Sequence, residues 1–303
     1  MAPREARTPV HRLAVGIATT GRRDILRAAL PHLQQQTRQA DLIVICAAEE
    51  ADVDQTALGE LAARTRIVFA KRGLCCQRNR ILAGVADADI LLFLDDDFLM
   101  APTYLAETER IFAANPDVVM GTGTVDADGI SGPGIAFSDG VRILHRPGQA
   151  TGRLCESPVY NAYGCNMAVR MATVRAHHLA FDENLPLYGW LEDVDFSRQM
   201  ARHGRIVRSG RLRGVHLGTK SGRTSGVRLG YSQIANPIYL MRKNTMSFRH
   251  AGPQMARNLV ANALRLAAPE PWVDRRGRLR GNLRALADLC RGRLAPQNVT
   301  ALE

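Results

Sequence analysis

Short, almost wholly apolar runs recur along the first 125 residues, at Leu13–Ala18, Leu42–Cys46, Arg66–Ala70, Ile90–Leu94 and Val118–Val125. Between them lie stretches with apolar positions at helical spacing, near Arg23–Gln36, Asp54–Arg64, Cys76–Ala86 and Pro102–Ala114. A strand that is apolar on both faces has to be covered on both faces. Regular alternation of such strands with helices is the pattern of βαβ units around a parallel sheet. The expected class is therefore α/β, a mostly parallel central sheet flanked by helices. Pro102 stands where a helix tolerates it, in the first turn.

The rhythm then breaks. Residues 126–160 are rich in Gly, Ser and Pro and read as a long loop, with a short strand at Val141–Leu144. Long irregular segments inside compact domains are often functional. Apolar pattern resumes at Tyr163–Val169, and helices are expected over Met171–His178 and Glu192–His203. Residues 210–231 show little periodicity. Helical spacing returns over Gln233–Arg249, Met255–Leu266 and Arg280–Leu289.

Composition changes this picture in one respect. The apolar fraction of 46% and charged fraction of 23% are ordinary for a globular protein and exclude wholesale disorder. The net charge of +11 is not ordinary, and it is unevenly placed. Residues 1–200 carry 20 basic and 25 acidic side chains, a balance of −5. Residues 201–231 carry 8 basic and no acidic ones, and residues 232–303 carry 12 and 4, so each segment stands at +8. A uniformly basic, nucleic-acid-binding chain is thereby excluded. No helix-turn-helix, zinc-finger or RNA-binding aromatic motif supports that class either, so no nucleic-acid partner is expected. The six cysteines lack paired metal-ligand spacing and are expected as reduced thiols. No run approaches the ~18 apolar residues of a membrane span, and the first residues have no apolar leader core. The expected location is the cytoplasm, in part on the inner face of the plasma membrane.

Four places carry candidate chemistry. In ILLFLDDDF an apolar strand ends abruptly in Asp95, Asp96 and Asp97. Three carboxylates at a strand's carboxyl end repel one another unless a cation joins them, and in open α/β sheets that end faces the ligand crevice. Hard divalent ions such as Mg2+ or Mn2+ take one or two carboxylates together with substrate phosphates. Alternation along a strand sends Asp95 and Asp97 to one side and Asp96 to the other. Glu192, Asp193 and Asp195 open a predicted helix, as dipole-complementing charge or as a general base beside a pocket. Arg78 and Asn79, in GLCCQRN, stand near a helix start, as ordinary polar surface or as contacts to a phosphate or nucleotide edge. His216 precedes a Gly-rich loop with Lys220 and Arg223, which could close over a diphosphate or simply be solvated.

Taken in order, these segments resemble glycosyltransferase family 2, the inverting nucleotide-sugar enzymes with the GT-A fold. The resemblance runs from about Leu13 to about Gly226 and rests on five segments. They are Thr19–Thr20–Gly21–Arg22, GLCCQRN, LDDDF, YGCNMAVR and FDENLPLYGWLEDVDF, followed by His216. It implies a flexible stretch over 1–12, a GT-A domain over 13–226 and a basic helical extension over 227–303. It implies that Asp95 and Asp96 belong to the nucleotide-sugar site and that Asp97 binds the divalent ion, with His216 completing its shell. Asp193 would be the catalytic base and Glu192 would position the acceptor. Thr19, Arg78 and Asn79 would line the nucleotide site, with Lys220 and Arg223 at the leaving diphosphate. After the second strand the family often has an acidic-serine cluster. This chain has VICAAEEAD there, and Glu49 is assigned to the donor site in its place. The implied cofactor is Mn2+ or Mg2+, and the implied donor a UDP-, dTDP- or GDP-sugar.

The tail adds a partner. Basic residues interleaved with Leu and Trp272 over 232–303 suit an anionic membrane surface, or a helical subdomain packed on the core. Similar enzymes often act on lipid-linked glycans of bacterial surface polysaccharides. Two rivals remain. A nucleotidyltransferase would normally bring a Gly-rich phosphate loop after the first strand, where TTGRRDIL supplies only Gly21. A non-enzymatic basic binding module fits poorly with the acidic first 200 residues.

Overall fold

The structure is a computed structural model that describes residues 11–146, 156–222 and 224–303. Nearly all of the expected flexible stretch 1–12, part of the 126–160 segment and Arg223 lie outside the described residues.

The first half follows the expected alternation. Strands β1 (Leu13–Thr19), β2 (Leu42–Ala47), β3 (Thr65–Phe69) and β4 (Ile90–Asp95) alternate with helices α1 (Arg23–Gln34) and α2 (Leu74–Gly84). β5 (Phe98–Met100), α3 (Tyr104–Ala114), β6 (Val118–Asp128) and α4 (Phe137–Leu144) come next. β7 (Glu156–Pro158), β8 (Asn166–Arg170), α5 (Met171–Ala176), α6 (Glu192–Met200) and β9 (Arg205–His216) complete the sheet region. Three helices close the chain: α7 (Gly226–Arg242), α8 (Phe248–Leu264) and α9 (Arg275–Cys290).

Among the described residues the strands form one mixed sheet in the order β3-β2-β1-β4-β8-β6-β9-β5, with β7 also on β9. β3, β2, β1 and β4 are parallel, while β8 runs antiparallel to both β4 and β6. β2 is buried along its whole length because helices cover both faces of the sheet, which is why its sequence is continuously apolar. The order 3-2-1-4 reverses between β1 and β4. A ligand crevice forms at the carboxyl ends of two strands that diverge in this way. β1 ends there at Thr19 and β4 at Asp95, with Ala18 in register beside Asp95.

Five local expectations change. Residues 55–64 form 3-10 turns broken at Gly59 (φ 48°), a conformation that costs glycine little and interrupts helical bonding. The strand expected at Val141–Leu144 is instead the end of α4. Phe137, Val141 and Leu144 share one helical face against Leu99, Val215 and Leu217, and a four-residue apolar run cannot by itself separate the two periods. The supposed loop after residue 126 begins as strand, since β6 continues through Asp128 beside β9. In the 210–231 region β9 runs to His216 and α7 starts at Gly226. Arginines at exposed positions of β9 hid its alternation. The helix expected over Gln233–Arg249 ends at Arg242, where Asn244 (φ 62°) turns the chain, and a new helix starts after Ser247.

The C-terminal helices pack on the sheet domain. Leu240, Met246 and Ala251 are buried in the same apolar cluster as Leu191, Val194 and Phe196. α7 and α9 cross closely: a Cβ at Gly230 would meet the Arg278 carbonyl oxygen at 2.0 Å, and one at Gly281 would meet the Val227 carbonyl oxygen at 2.1 Å. Lys243 joins the tail to the core through Asp182 (2.6 Å) and the wholly buried Asp195 (2.7 Å). Burial alone would raise the Asp182 carboxyl. Lys243, Tyr239 and the Asn184 N–H outweigh it and hold Asp182 below its usual value.

Lys243→Met is therefore expected to cost about 3 kcal/mol or more, because it strands a buried carboxylate. A depressed folded pKa gives stability that is present above the unfolded value of 3.8 and lost as pH falls through the folded one. The gap between wild type and variant should accordingly narrow below about pH 4. Urea midpoints at pH 7 and at acid pH measure this, and equal midpoints at pH 7 would refute it.

Candidate active site

The three aspartates divide as expected, although only Asp95 is in β4 and Asp96 and Asp97 form the turn that follows it. Asp96 is buried on one side, where it accepts hydrogen bonds from the Thr19 hydroxyl (2.8 Å) and from Arg22 Nη1 (3.0 Å). Burial, with Asp97 adding to it and Arg22 opposing, pushes its carboxyl up to about 7. Asp95 and Asp97 turn to the other side and meet His216. The latter's Nε2 is 3.4 Å from Asp97 Oδ1 and 4.0 Å from Asp95 Oδ2. β9 brings this histidine in, since His216 is the register partner of Phe98 on β5 and of Asp128 on β6.

This cluster fits a divalent cation. One ligand atom from each of Asp95, Asp97 and His216 lies within 4.8 Å of the others. Asp97 is 1% exposed, and its Oδ1 is a buried oxygen without a hydrogen-bond partner, while Oδ2 accepts from the Thr219 N–H at 2.7 Å. His216 Nδ1 lies 2.9 Å from Asp128, the carboxylate–histidine pairing that fixes a ligating ring and leaves Nε2 for the ion. Asp128 also accepts from the Tyr163 hydroxyl at 2.9 Å. Although burial opposes it, Asp128, Asp97 and Asp95 push the His216 imidazole up to about 10. Asp97, likewise against its burial, is held down to about 2 by His216, Arg22 and the Thr219 N–H.

A second set of charges lies beside the first. α6 opens directly after Leu191, whose φ of 74° is a strained conformation for a bulky residue, costing on the order of 1–3 kcal/mol. That turn presents Glu192 and Asp193 at the helix start, where carboxylates complement the helix dipole. Arg78, only 2% exposed, ties the two sets together. It pairs with Glu192 through Nη1, and its Nη2 reaches Asp95 (3.2 Å) and the Gly164 carbonyl (2.8 Å). Burial pushes the Glu192 carboxyl up, with Arg78 opposing and Asp193 and Asp95 adding. Asp193 is half-buried and accepts from the N–H groups of Gly164 (3.1 Å) and Val194 (2.8 Å). Burial raises its pKa, countered by Arg78 and by those N–H groups, which makes it a stronger base than a free aspartate. Asp95, Asp193 and His216 line one open cavity of about 550 Å³.

The remaining candidates are placed as follows. Thr19 is buried with its hydroxyl on Asp96. Asn79 faces away from the cluster, bonding the Phe181 backbone and Glu183 and so bracing the loop before α6. Glu49 is exposed. The carboxylate that turns inward after β2 is Asp52, which accepts from the Gly21 N–H at 2.6 Å and the Glu49 N–H at 3.0 Å. Lys220 lies along the carbonyls of Gly129 and Ile130, each at 3.0 Å. Asp52 and Asp128 were not singled out from the sequence, and Arg22 and Tyr163, although within segments that carry the resemblance, were given no role. Asp128 had a usable signal, the apolar-acidic alternation of TVDAD continuing β6. Asp52 had the spacing of a helix-start cap.

No family model matches the chain, and no curated protein matches it either. Solved structures do. The mannosyltransferase PcManGT from Pyrobaculum calidifontis, in complex with GDP-Man and Mn2+, superposes with a TM-score of 0.58 at 16% identity, covering 92% of this chain and 87% of that one. S. aureus TarS 1-349 in complex with UDP-GlcNAc gives 0.52 at 15% identity, covering 93% and 92%. A longer S. aureus TarS chain gives 0.50 at 15% identity, and this chain spans only 40% of it. At such identities the likeness is one of fold, and the fold is that of the GT-A glycosyltransferases.

Proposed function

We propose that the protein is a divalent-metal-dependent, inverting glycosyltransferase of the family 2 type, moving a sugar from a nucleotide-sugar to an acceptor hydroxyl. The observation that carries this reading is the convergence of Asp95, Asp97 and His216 on one side of a cavity that Asp193 also lines. Asp95, Asp97 and His216 would hold Mn2+ or Mg2+, which when bound neutralises charge on the departing nucleoside diphosphate. Asp193 takes the proton from the acceptor hydroxyl, whose oxygen attacks the anomeric carbon from the face opposite the leaving group and inverts it. Glu192 and Arg78 form the buried support that holds the start of α6 against β4. Asp96, Thr19 and Arg22 lock the turn after β4, and Asp52 locks the turn after β1. Both turns border the crevice where a nucleotide would lie. Lys220, in the loop after His216, stands beside the diphosphate in this reading, and Arg223, outside the described residues, is assigned the same role.

The solved neighbours bound to GDP-Man and UDP-GlcNAc favour a sugar nucleotide over the nucleotidyl-transfer alternative. A thermal-shift screen of UDP-, GDP- and dTDP-sugars with and without Mn2+ tests the proposal. Selective, metal-dependent stabilisation is expected, about 2.7 kcal/mol at a ligand concentration 100 times Kd. Stabilisation by nucleoside triphosphates but by no sugar nucleotide would overturn it.

No helix of the described residues is long and apolar enough to cross a membrane. The same reading includes peripheral binding to an anionic membrane, supported by the +8 of residues 232–303 and by exposed Phe248, Val260 and Leu264 on α8. Sedimentation with anionic vesicles at low salt should exceed that with neutral ones, and equal partitioning would exclude it.

A further inference from the structure

The catalytic cavity does not end at the sheet domain. α8, from the C-terminal extension, supplies part of its wall, including Arg249, His250 and Arg257. This wall is fixed in place. Met246 and Ala251 are buried in the core, the Ser247 N–H reaches the Tyr160 hydroxyl (3.4 Å), and His250 stacks on the Tyr160 ring with centroids 3.7 Å apart. Among the described residues neither Arg249 nor Arg257 has an ion pair or hydrogen bond to offset its charge. The two stand eight positions apart on one helical stripe, roughly 12 Å along the axis at 1.5 Å per residue.

Arg249 is also placed against its helix's own interest. It lies in the first turn of α8, which contains no acidic residue, where the helix dipole disfavours a cation. The cavity is thus divided by sign. Asp95, Glu192 and Asp193 line it from β4 and α6, and two uncompensated guanidinium groups line it from α8. An uncharged acceptor would leave both arginines without a counter-charge. A phosphate or diphosphate is the group that planar guanidinium forks and a helix N-terminus bind together.

We infer that Arg249 and Arg257 form an acceptor subsite for a phosphate-bearing acceptor, holding its phosphate on α8 while a hydroxyl of the same molecule faces Asp193. The inference rests on the glycosyl-transfer reading for its meaning but not for its test. Both arginines are exposed, so replacing them should leave folding intact.

Calorimetric titration with inorganic pyrophosphate, in EDTA to keep the metal cluster empty, should show binding to wild type. Arg249→Gln/Arg257→Gln should weaken that binding at least tenfold, while the Lys/Lys double variant retains part of it. Equal binding by wild type and the Gln double variant, or no binding by wild type, would overturn the subsite. A parallel titration with farnesyl diphosphate separates the sources. Tighter binding than pyrophosphate indicates a lipid-linked phosphate, and equal binding a soluble one; both uphold the subsite. The Mn2+–sugar-nucleotide thermal shift on the same proteins should be unchanged by the arginine variants. If wild type shows no such shift, the transferase reading fails while the anion subsite is judged by its own titration.

Discussion

Asp193→Asn is expected to slow sugar transfer by about 10²–10⁴-fold, roughly 3–5 kcal/mol of barrier, with donor affinity unchanged. The amide keeps the shape of the carboxylate and can still sit between the N–H groups of Gly164 and Val194, although it can no longer take up a proton. The neighbouring carboxylate is a natural control. Glu192 is committed to Arg78, and Glu192→Gln disturbs the support of α6 rather than proton transfer. It should therefore alter both acceptor KM and stability. Steady-state kinetics with donor titration separates these outcomes. Turnover of Asp193→Asn within about tenfold of wild type would mean that another group accepts the proton.

Asp97→Asn should abolish metal-dependent donor binding. Loss of a partner that merely orients a ligand costs about 10–100-fold in metal affinity, so loss of a ligand that also carries charge should cost more than roughly 100-fold. Asp97 contributes both a charge and the unpartnered buried Oδ1. The measurement is the Mn2+ concentration at which a sugar nucleotide begins to stabilise the protein. Asp128→Asn, which meets His216 at its far nitrogen and also accepts from the Tyr163 hydroxyl, should shift that concentration by the smaller factor. A normal Mn2+ requirement in Asp97→Asn would remove it from the ligand set.

The sheet region was legible because its strands are short, apolar and separated by amphipathic helices. LDDDF gave more than its position: the alternation expected of it separates Asp96 from Asp95 and Asp97, and the turn after β4 divides them in the same way. The opposite case is β9. Its exposed arginines and glycines mask the period-two pattern, yet it is the strand that delivers His216. Gly214 is part of the reason for those glycines, since a Cβ there would meet the Phe98 ring at 2.2 Å. Arg78 was found as a charged residue near a helix start, but its buried position between Asp95 and Glu192 depends on contacts 17 and 114 residues distant. Asp52 and Asp128 were passed over for the same reason. A carboxylate that binds a backbone N–H or a histidine nitrogen across the sheet leaves no local periodicity to read. Glu49, more conspicuous in the sequence, remained at the surface.

Lys243 has a consequence for how the molecule can be divided. One ammonium group neutralises Asp182, in the segment leading to α6, and Asp195, within that helix two residues after Asp193. A chain cut at the start of α7 would keep Asp95, Asp97, Asp193 and His216. It would also leave two neighbouring carboxylates without their cation, one of them wholly buried. The extension in this sense supplies the counter-ion of α6, so a cut there is expected to destabilise the helix that carries Asp193.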